Sequence, residues 1–456
     1  MEALVGLDRS RPGLGDQLAV ALREAISAGR LTAGTRLPSS RDLAGELHLS
    51  RGVVVAAYEQ LIAEGRLVSR RGSGTVVAPS PAVTPPPAPP RSDLVDVEHL
   101  PLRPGLPDLS TFPRTTWRRS YERALAAATD AELGYGDPAG APRLRAEMAG
   151  YLGRVRAARL TADDLVMTTG AAQAFAIVAE LLRSCGATAI GLEDPGSPGI
   201  RGHLEHHGLR LVPVPVDGDG LDVDALVRSG VPAVLVTPAH QFPTGVVLAP
   251  ARRAALVDWA RRTGGLVVED DYDAEFRYDR DPVGCLQGLA PDVVAHLGSV
   301  SKALAPALRL GWLAVPPEHQ AAVRRIKAAA DLGGPVLEQL AFADLVATGG
   351  YDRHLRRARR TQRESRDGLV AALGTHLPGA RVSGIAAGLH LVVELPAGVD
   401  DVALAARARA AGLGPIALSS TRLAPDGPPG LVLGYAAHTP DQLAAAVERL
   451  AALMTA

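Results

Sequence analysis

The stretch LVVEDDYDAEFRY, residues 266–278, begins with an apolar run that closes on acidic residues and a tyrosine. Five further apolar runs occur between residues 165 and 297, and helical stretches such as Ala171–Arg183 and Ala251–Arg262 separate several of them. This alternation predicts an α/β fold whose mostly parallel sheet has helices on both faces. Strands are predicted at Leu165–Thr169, Ala189–Glu193, Leu211–Val216, Ala233–Thr237, Leu266–Asp270 and Val293–Leu297.

Chemically active side chains follow these strands at the points where they end. In a parallel sheet the ligand crevice lies beyond the carboxyl ends of the strands, so such residues should gather there. The residues are Gly170, Ala171, Ala172, Asp270, Tyr272, Ser299, Ser301, Lys302 and Arg309. They supply an amine, a carboxylate, hydroxyls, a guanidinium and a helix start that can bind phosphate. This set suits pyridoxal phosphate, which requires a lysine for a Schiff base and a carboxylate for its ring nitrogen.

Lysine usage singles out one of these residues. Of the 48 basic residues only Lys302 and Lys327 are lysines, and the chain contains no asparagine. Arginine stays protonated and cannot serve as the imine amine, which would explain a lysine at position 302. Lys327, in AAVRRIKAAADL, is interpreted as a solvated charge on an amphipathic helix. The alternative is that Asp270 caps a helix, Lys302 lies at the surface and residues 299–301 form a turn.

Overall composition excludes several classes of protein. A net charge of −1 over 456 residues argues against a uniformly basic nucleic-acid coat, although not against a small DNA-binding module. Cys185 and Cys285 cannot form a disulfide scaffold, which fits a reducing cytosol. Because a signal-peptide pattern and an apolar run of about 18 residues are both missing, we expect a cytoplasmic protein without a membrane partner. We single out no metal site.

A proline-rich stretch divides the chain. APSPAVTPPPAPPRSD, residues 78–93, cannot form a helix or a central strand, because proline lacks an amide donor and fixes φ. It is typical of a semi-rigid spacer. We therefore predict an amino-terminal domain over 1–78, a linker over 79–93 and a large domain over 94–456. The large domain would comprise a part at about 115–320 and a smaller α+β part at about 335–456.

The amino-terminal domain has the pattern of a DNA reader. A helix over Gln17–Ala28 precedes two short helices, the first capped by Ser39 or Ser40 and the second by Ser50. Two strands, Arg66–Arg70 and Thr75–Ala78, then form a glycine-bearing hairpin. In a helix-turn-helix with a wing, the start of the second helix enters the major groove. A small helical interaction domain is the alternative.

Specific residues follow from this pattern. The apolar face of the second helix of the pair is predicted at Val54, Ala57, Leu61 and Ile62. DNA contacts are expected from Arg41, Ser50, Arg51, Arg70, Arg71, Gly72 and Gly74. Residues 1–78 contain ten Arg and eight Asp+Glu, so charge alone does not decide the matter.

The residue patterns resemble two known families. LPSSRDLA (37–44), LSR (49–51), AEG (63–65) and RGSGT (71–75) resemble the GntR-type winged helix-turn-helix. GYGDPAG (134–140), TGAAQ (169–173), EDPG (193–196), HQFPTG (240–245), 269–278 and 299–311 resemble the fold-type I, class I aminotransferases. The two together resemble the MocR/GabR-type regulators. That resemblance implies a dimeric transcriptional regulator of operator DNA whose effector is pyridoxal phosphate, an amine or an amino acid.

The resemblance also implies roles for single residues. Lys302 would form the Schiff base, Asp270 would contact the ring nitrogen and Tyr272 the ring hydroxyl. Ser299, Arg309 and the Gly170–Ala172 amides would surround the phosphate. Tyr135 would reach the phosphate bound by the partner subunit, which implies a homodimer.

Three departures from the aminotransferase pattern concern the ligand. Phe242 replaces an asparagine that touches the ring hydroxyl, and Ser197 replaces an aromatic residue that stacks on the ring. Val432 takes the place of the arginine that binds a substrate carboxylate, for which Arg201 or Arg422 could substitute. These departures leave two alternatives to a sensor: a working aminotransferase that carries a DNA-binding domain, and a regulator whose large domain has lost the cofactor and only dimerises.

Overall fold

A computed structural model describes residues 6–70, 74–79, 99–278, 283–424 and 427–455. The chain divides into two compact units, Met1–Arg91 and Ser92–Ala456. Most of the predicted linker, residues 80–93, lies outside the described residues. Within the described ranges, helices that are both long and apolar enough to cross a membrane are absent.

The first unit is a three-helix domain with a two-stranded wing. Its elements are α1 (Leu14–Ser27), α2 (Ser40–Glu46), α3 (Arg51–Ala63), β1 (Leu67–Arg70) and β2 (Gly74–Val77). The strands pair antiparallel, with Leu67 opposite Val77. Ser39 and Ser50 cap α2 and α3, since their side chains accept the amides of Asp42 and Val53.

The helices of this unit pack on a leucine-rich core. Leu22 of α1, Leu43 of α2 and Leu61 of α3 are fully buried there. The prediction that Ile62 belongs to this face is wrong, because Ile62 is 36% exposed and points away from the core. Tyr58 occupies the inner face instead, and its hydroxyl donates a hydrogen bond to the Pro38 carbonyl at 3.0 Å.

The second unit is built on an eight-stranded sheet. Its strands are β3 (Leu165–Thr168), β4 (Ala189–Asp194), β5 (Arg210–Asp217), β6 (Gly220–Leu221), β7 (Ala233–Val236), β8 (Leu266–Asp271), β9 (Val294–Ser299) and β10 (Gly311–Ala314). The spatial order is β3-β10-β9-β8-β7-β4-β5-β6. Strands β9, β8, β7, β4 and β5 run parallel, while β10 and β6 run antiparallel to their neighbours. All six predicted strands are present, and β6 and β10 are additional.

Helices cover both faces of this sheet. The helices of the second unit are α4 (Arg114–Ala127), α5 (Pro142–Arg156), α6 (Ala171–Ser184), α7 (Pro198–His206), α8 (Val223–Ser229), α9 (Pro250–Thr263), α10 (Pro317–Asp331), α11 (Val336–Ala347), α12 (Gly350–His376), α13 (Asp401–Ala410) and α14 (Pro440–Thr455), of which α5, α6, α7, α8 and α9 contact strands of this sheet. Successive residues of β7 belong to opposite cores. Val234 and Val236 pack in the core that contains Trp259 of α9, and Leu235 packs in the core that contains Phe175 of α6.

A smaller antiparallel sheet completes the second unit. It consists of β11 (Arg381–Ser383), β12 (His390–Glu394), β13 (Ile416–Ala417) and β14 (Gly430–Gly434), in the order β11-β12-β14-β13. Single turns of 3-10 helix occur at Leu109–Thr111, Ala162–Asp164, Pro306–Leu308 and Ser419–Thr421. The mixed sheet with helices on both faces and the smaller α+β part confirm the predicted fold class.

The prediction that Lys327 is a solvated charge is wrong. Lys327 lies on α10 with a fully buried side chain, not on a solvated face. Its amine donates to both carboxylate oxygens of Asp331 at 2.6 Å, one helical turn later. This ion pair compensates the burial of the charge.

Candidate functional site

A cavity of about 560 Å³ lies at the carboxyl ends of the parallel strands. Of the predicted cofactor residues, Ala171, Ala172, Asp270, Tyr272, Ser299, Ser301, Lys302 and Arg309 line it. The smaller sheet closes it with Leu389, His390 and Ile416. The sheet topology thus gathers residues that lie far apart in the sequence.

Asp270 sits near the end of β8 with a buried, unsatisfied acceptor. Its Oδ1 atom has no hydrogen-bond partner within the described residues. Burial, together with the neighbouring carboxylates of Asp271 and Asp273, raises the pKa of Asp270 to about 8. A buried acid without a partner costs free energy unless a ligand satisfies it, and a ring N–H would do so.

The adjacent Asp271 has the opposite environment. The Arg156 guanidinium forms a bidentate pair with it at 2.8 and 2.9 Å, and His296 Nε2 lies 3.2 Å from its Oδ2. These cations hold the pKa of Asp271 well below its usual range, although burial opposes them. Of the two successive carboxylates, only Asp270 faces the cavity.

Lys302 follows β9 in the loop that borders the cavity. Its amine donates a hydrogen bond to the Gly105 carbonyl, and burial lowers the pKa of the amine. Lowering the pKa of a lysine increases the fraction that is neutral and nucleophilic. Lys302 therefore has the environment of a carbonyl-reactive amine.

Arg309 and the start of α6 form an anion site. Gly170 precedes α6 with φ of +94°, and a Cβ atom there would lie 3.1 Å from the Arg309 guanidinium. Only glycine combines this backbone angle with so close an approach. The guanidinium, the α6 amino terminus and the hydroxyls of Ser299 and Ser301 fit a phosphate group. The residues present therefore fit pyridoxal phosphate at both of its ends.

A histidine that the sequence analysis did not single out contacts Tyr272. His240 Nδ1 lies 3.1 Å from the Tyr272 hydroxyl and 2.9 Å from Asp273 Oδ2. His240 and Asp273 are 3% and 2% exposed, and burial raises the pKa of the Tyr272 phenol well above its usual value. His240 thus orients the Tyr272 phenol. Position 242, close by in the sequence, is phenylalanine and not asparagine. The position of His240 just beyond the end of β7 was the feature of the sequence that could have indicated it.

Two groups of buried residues have metal-ligand chemistry, but protein partners already engage them. One comprises His240, Asp273 and His390, and the other Glu269, Cys285 and His296. His390 Nε2 lies 3.1 Å from the Pro243 carbonyl, and both carboxylate oxygens of Glu269 accept backbone amides. We assign no metal to either group.

The two arginines expected near an effector differ in placement. Arg201 lines the cavity, and its terminal nitrogens donate to the carbonyls of Gly196, Thr421 and Arg422. The structure does not bring the Arg422 side chain to the cavity, because its guanidinium donates to Pro428 and packs against Gly427.

Ser197 and Tyr135 also have defined places. Ser197 lines the cavity and caps α7, since its hydroxyl accepts the Ile200 amide. Tyr135 is 87% exposed and borders a separate cavity of about 480 Å³ with Gly136 and Gly333. Tyr135 does not line the cavity that contains Lys302 of its own chain. It could therefore contact only a cofactor that is bound by another subunit.

Four of the expected DNA-contact residues, Arg41, Ser50, Arg51 and Gly74, are described and lie at the surface of the first unit. Arg41, Ser50 and Arg51 are exposed around the start of α3, and Arg51 Nε donates to the Ser40 hydroxyl at 3.4 Å. Gly74 opens the second wing strand with φ of +81°. Arg71 and Gly72 lie outside the described residues, as does the side chain of Arg70.

Comparisons with known proteins match both units. Residues 106–450 match the family of class I and II aminotransferases, and residues 14–77 match the gntR family of bacterial regulatory proteins. The HTH-type pyridoxine biosynthesis transcriptional regulator PdxR of Corynebacterium glutamicum is 35% identical, over 94% of this chain and 93% of its own. The probable rhizopine catabolism regulatory protein MocR of Rhizobium meliloti is 32% identical, over 95% and 92%.

Solved structures agree with the fold of the second unit. Kynurenine aminotransferase of Pyrococcus horikoshii superposes with a TM-score of 0.72 at 25% identity, over 79% of this chain and 92% of its own. The α-aminoadipate aminotransferase LysN of Thermus thermophilus gives 0.70 at 27% identity, over 78% and 92%. The chain therefore belongs to the MocR-type HTH transcriptional regulators, in which a GntR-family unit is joined to a class I and II aminotransferase unit.

Proposed function

We propose that this protein is a transcriptional regulator that binds operator DNA and senses a small molecule through pyridoxal phosphate. The observation that carries the proposal is the convergence of Lys302, Asp270 and Arg309 on one cavity. The same chain contains a winged helix-turn-helix in which the start of α3 is exposed.

The cavity residues divide the binding of the cofactor among them. When bound, pyridoxal phosphate supplies an aldehyde that condenses with amines. Arg309 and the α6 amides hold its phosphate, and Asp270 shares a proton with its ring nitrogen. Tyr272, oriented by His240, donates toward its ring hydroxyl. Lys302 would supply the amine with which the aldehyde condenses.

Sensing requires that the ligand favour one conformation over another. A ligand that binds two conformations equally well shifts neither of them, so cavity occupancy must be coupled to the arrangement of the DNA-binding units. The proline-rich linker at 79–93 would permit such rearrangement between a DNA-binding domain at 1–78 and the large domain at 94–456.

The effector is proposed to be pyridoxal phosphate itself, an amine or an amino acid. The names of the relatives support this range, since one is a pyridoxine biosynthesis regulator and another a rhizopine catabolism regulator. We also propose a cytoplasmic homodimer in which Tyr135 of each subunit contacts the cofactor phosphate of the other.

The lysine content provides a direct test of the cofactor site. After incubation with pyridoxal phosphate and reduction with borohydride, peptide mass mapping should find the modification on Lys302 and not on Lys327. The two are the only lysines, so Lys327 serves as an internal control. Modification of both to the same extent, or of neither, would refute a dedicated site at Lys302.

A working aminotransferase is the second candidate function. The observation in its favour is that Lys302, Asp270 and Tyr272 share the cavity in an arrangement that permits chemistry. Steady turnover of an amino donor with a keto acid would support the enzyme. A spectral change that stops after one equivalent would support the sensor.

A further inference from the structure

The wall of the cavity formed by the smaller sheet is apolar where a carboxylate clamp would be expected. Val432 of β14 is fully buried in a cluster with Val392 and Leu418, against which Phe242 and Ile416 pack. Phe242 and Ile416 themselves line the cavity. An effector carboxylate therefore finds no cation on this strand.

Arg103 lines the same cavity from a different direction. It is partly buried, and its guanidinium forms no hydrogen bond or ion pair with any residue that the structure describes. Of the four Lys and Arg side chains that line the cavity, Lys302 is engaged by Gly105 and Arg201 by three carbonyls, whereas Arg103 and Arg309 have no hydrogen-bond or ion-pair partner among the described residues. Arg103 is thus available to an anion from outside the chain.

The backbone holds Arg103 firmly in place. The Leu102 carbonyl accepts the Gly434 amide at 2.8 Å, and the Pro101 carbonyl accepts the Gly414 amide at 2.7 Å. Leu102 is fully buried with φ of +67°, a strained angle that persists only where surrounding contacts impose it. Arg103 is consequently attached to the smaller sheet, and Gly105, two residues later, contacts the Lys302 amine.

Arg201, which also lines this cavity, has a buried donor without a partner in the described part of the chain. Arg201 Nε is buried and has no hydrogen-bond partner within the described residues, although both terminal nitrogens are engaged. A buried donor without a partner is costly in free energy. Arg201 also lies 3.9 Å from the Asp194 carboxylate, so Arg103 is the cation beyond Arg309 that has no counter-ion among the described residues.

We propose that Arg103 binds the carboxylate of an amino-acid effector, assisted by Arg201, and so replaces the clamp that β14 lacks. This inference rests on the proposed function, since it places the effector beside Lys302. It assigns the effector to amines that bear a carboxylate, rather than to simple amines. In the sequence, Arg103 lies ten residues after the predicted linker ends at residue 93.

The test uses two stable ligands that differ only in the carboxylate. N-(5′-phosphopyridoxyl)-L-alanine and N-(5′-phosphopyridoxyl)ethylamine are titrated calorimetrically into the cofactor-free full-length protein. The variants are Arg103→Gln and Arg103→Lys. Arg422→Gln is the matched control, because Arg422 is a nearby arginine whose side chain is turned away from the cavity.

The wild type should prefer the alanine adduct by about tenfold or more, the effect of one charge-assisted hydrogen bond. Arg103→Gln should abolish the preference while its affinity for the ethylamine adduct stays the same, which also shows that the variant is folded. Arg103→Lys should retain part of the preference, and Arg422→Gln all of it. An equal preference in the wild type and Arg103→Gln would overturn the inference alone. Failure of the wild type to bind either ligand would overturn the proposed cofactor site as well.

Discussion

His240 Nδ1 lies 2.9 Å from Asp273 Oδ2, with both side chains buried beneath the cavity. Because a carboxylate only accepts, Nδ1 carries the proton, and the Tyr272 hydroxyl is oriented from the same nitrogen at 3.1 Å. The pair therefore fixes the position of the Tyr272 hydroxyl at the wall of the cavity.

Removal of this histidine should destabilise the protein. His240→Ala leaves the Asp273 carboxylate without its partner, and we expect a loss of about 1–3 kcal/mol in the free energy of unfolding. Urea denaturation measures this, with His206→Ala at an exposed position as the control. Equal midpoints for the two variants would show that the pair contributes nothing.

The packing of His240 and Asp273 also accounts for the glycine at position 388. Gly388 has φ of +72°, and a Cβ atom there would overlap the His240 ring and lie 2.5 Å from Asp273 Oδ2. Gly388→Ala should therefore cost about 2–4 kcal/mol, from backbone strain and overlap together. Gly398→Ala is the matched control, because Gly398 has φ of +88° with no atom within 4 Å of the added Cβ. It should cost about 1 kcal/mol; a similar loss for both would mean that the His240 site tolerates the methyl group.

Asp270 should make ligand binding depend on pH. Its pKa of about 8 means that the free carboxyl holds a proton below that pH, which a bound ring nitrogen can share. Above pH 8 the free protein has lost this proton and binding must take one up, so affinity should fall by up to about tenfold per pH unit.

Pyridoxine 5′-phosphate is the appropriate probe for that prediction, because it has no aldehyde and does not react with Lys302. Calorimetry across roughly pH 7–10, from about one unit below to about two units above the Asp270 pKa, should show the fall in affinity in the wild type. Asp270→Asn should bind more weakly and lack this component. Parallel pH profiles for the two proteins would contradict the role of Asp270.

Mixed dimers test whether Tyr135 acts on the other subunit. If it does, a hybrid of Tyr135→Ala and Lys302→Ala subunits contains one intact site, made from the Lys302 of one chain and the Tyr135 of the other. Such hybrids should bind half an equivalent of pyridoxal phosphate per chain with wild-type affinity. If Tyr135 acted within its own chain, both sites would be impaired and no site of wild-type affinity would appear.

The sequence predicts the sheet well because its strands are buried apolar runs with clear limits. It misses β10, since the four residues GWLA are too short to show a period and become a strand only by pairing with β3 and β9. It misplaces Lys327 because a charge on an amphipathic helix is usually solvated, whereas here Asp331 neutralises it inside the protein.

The convergence of the proposed cofactor residues on one cavity was predictable for a topological reason. Parallel strands end at one edge, so residues after β8 and β9 must meet there. The same rule applies to β7, which pairs with β8, and it could have indicated the contact between His240 and Tyr272. The sequence could not predict that the Arg201 side chain lines the cavity and that the Arg422 side chain does not. The difference depends on side-chain directions, which no periodic pattern indicates.

The central claim is that occupancy of the Lys302 cavity controls DNA binding by the first unit. The most direct measurement is the affinity of the full-length protein for DNA upstream of its own gene, by quantitative gel shift, with and without pyridoxal phosphate and amino acids. We expect sequence-specific binding that a ligand changes by about 5-fold or more, within the usual range of coupling between sites. Lys302→Ala should retain binding but lose the response, and Arg51→Gln should weaken binding with or without ligand. Absence of any sequence-specific shift under every ligand condition, or an unchanged response in Lys302→Ala, would contradict the account.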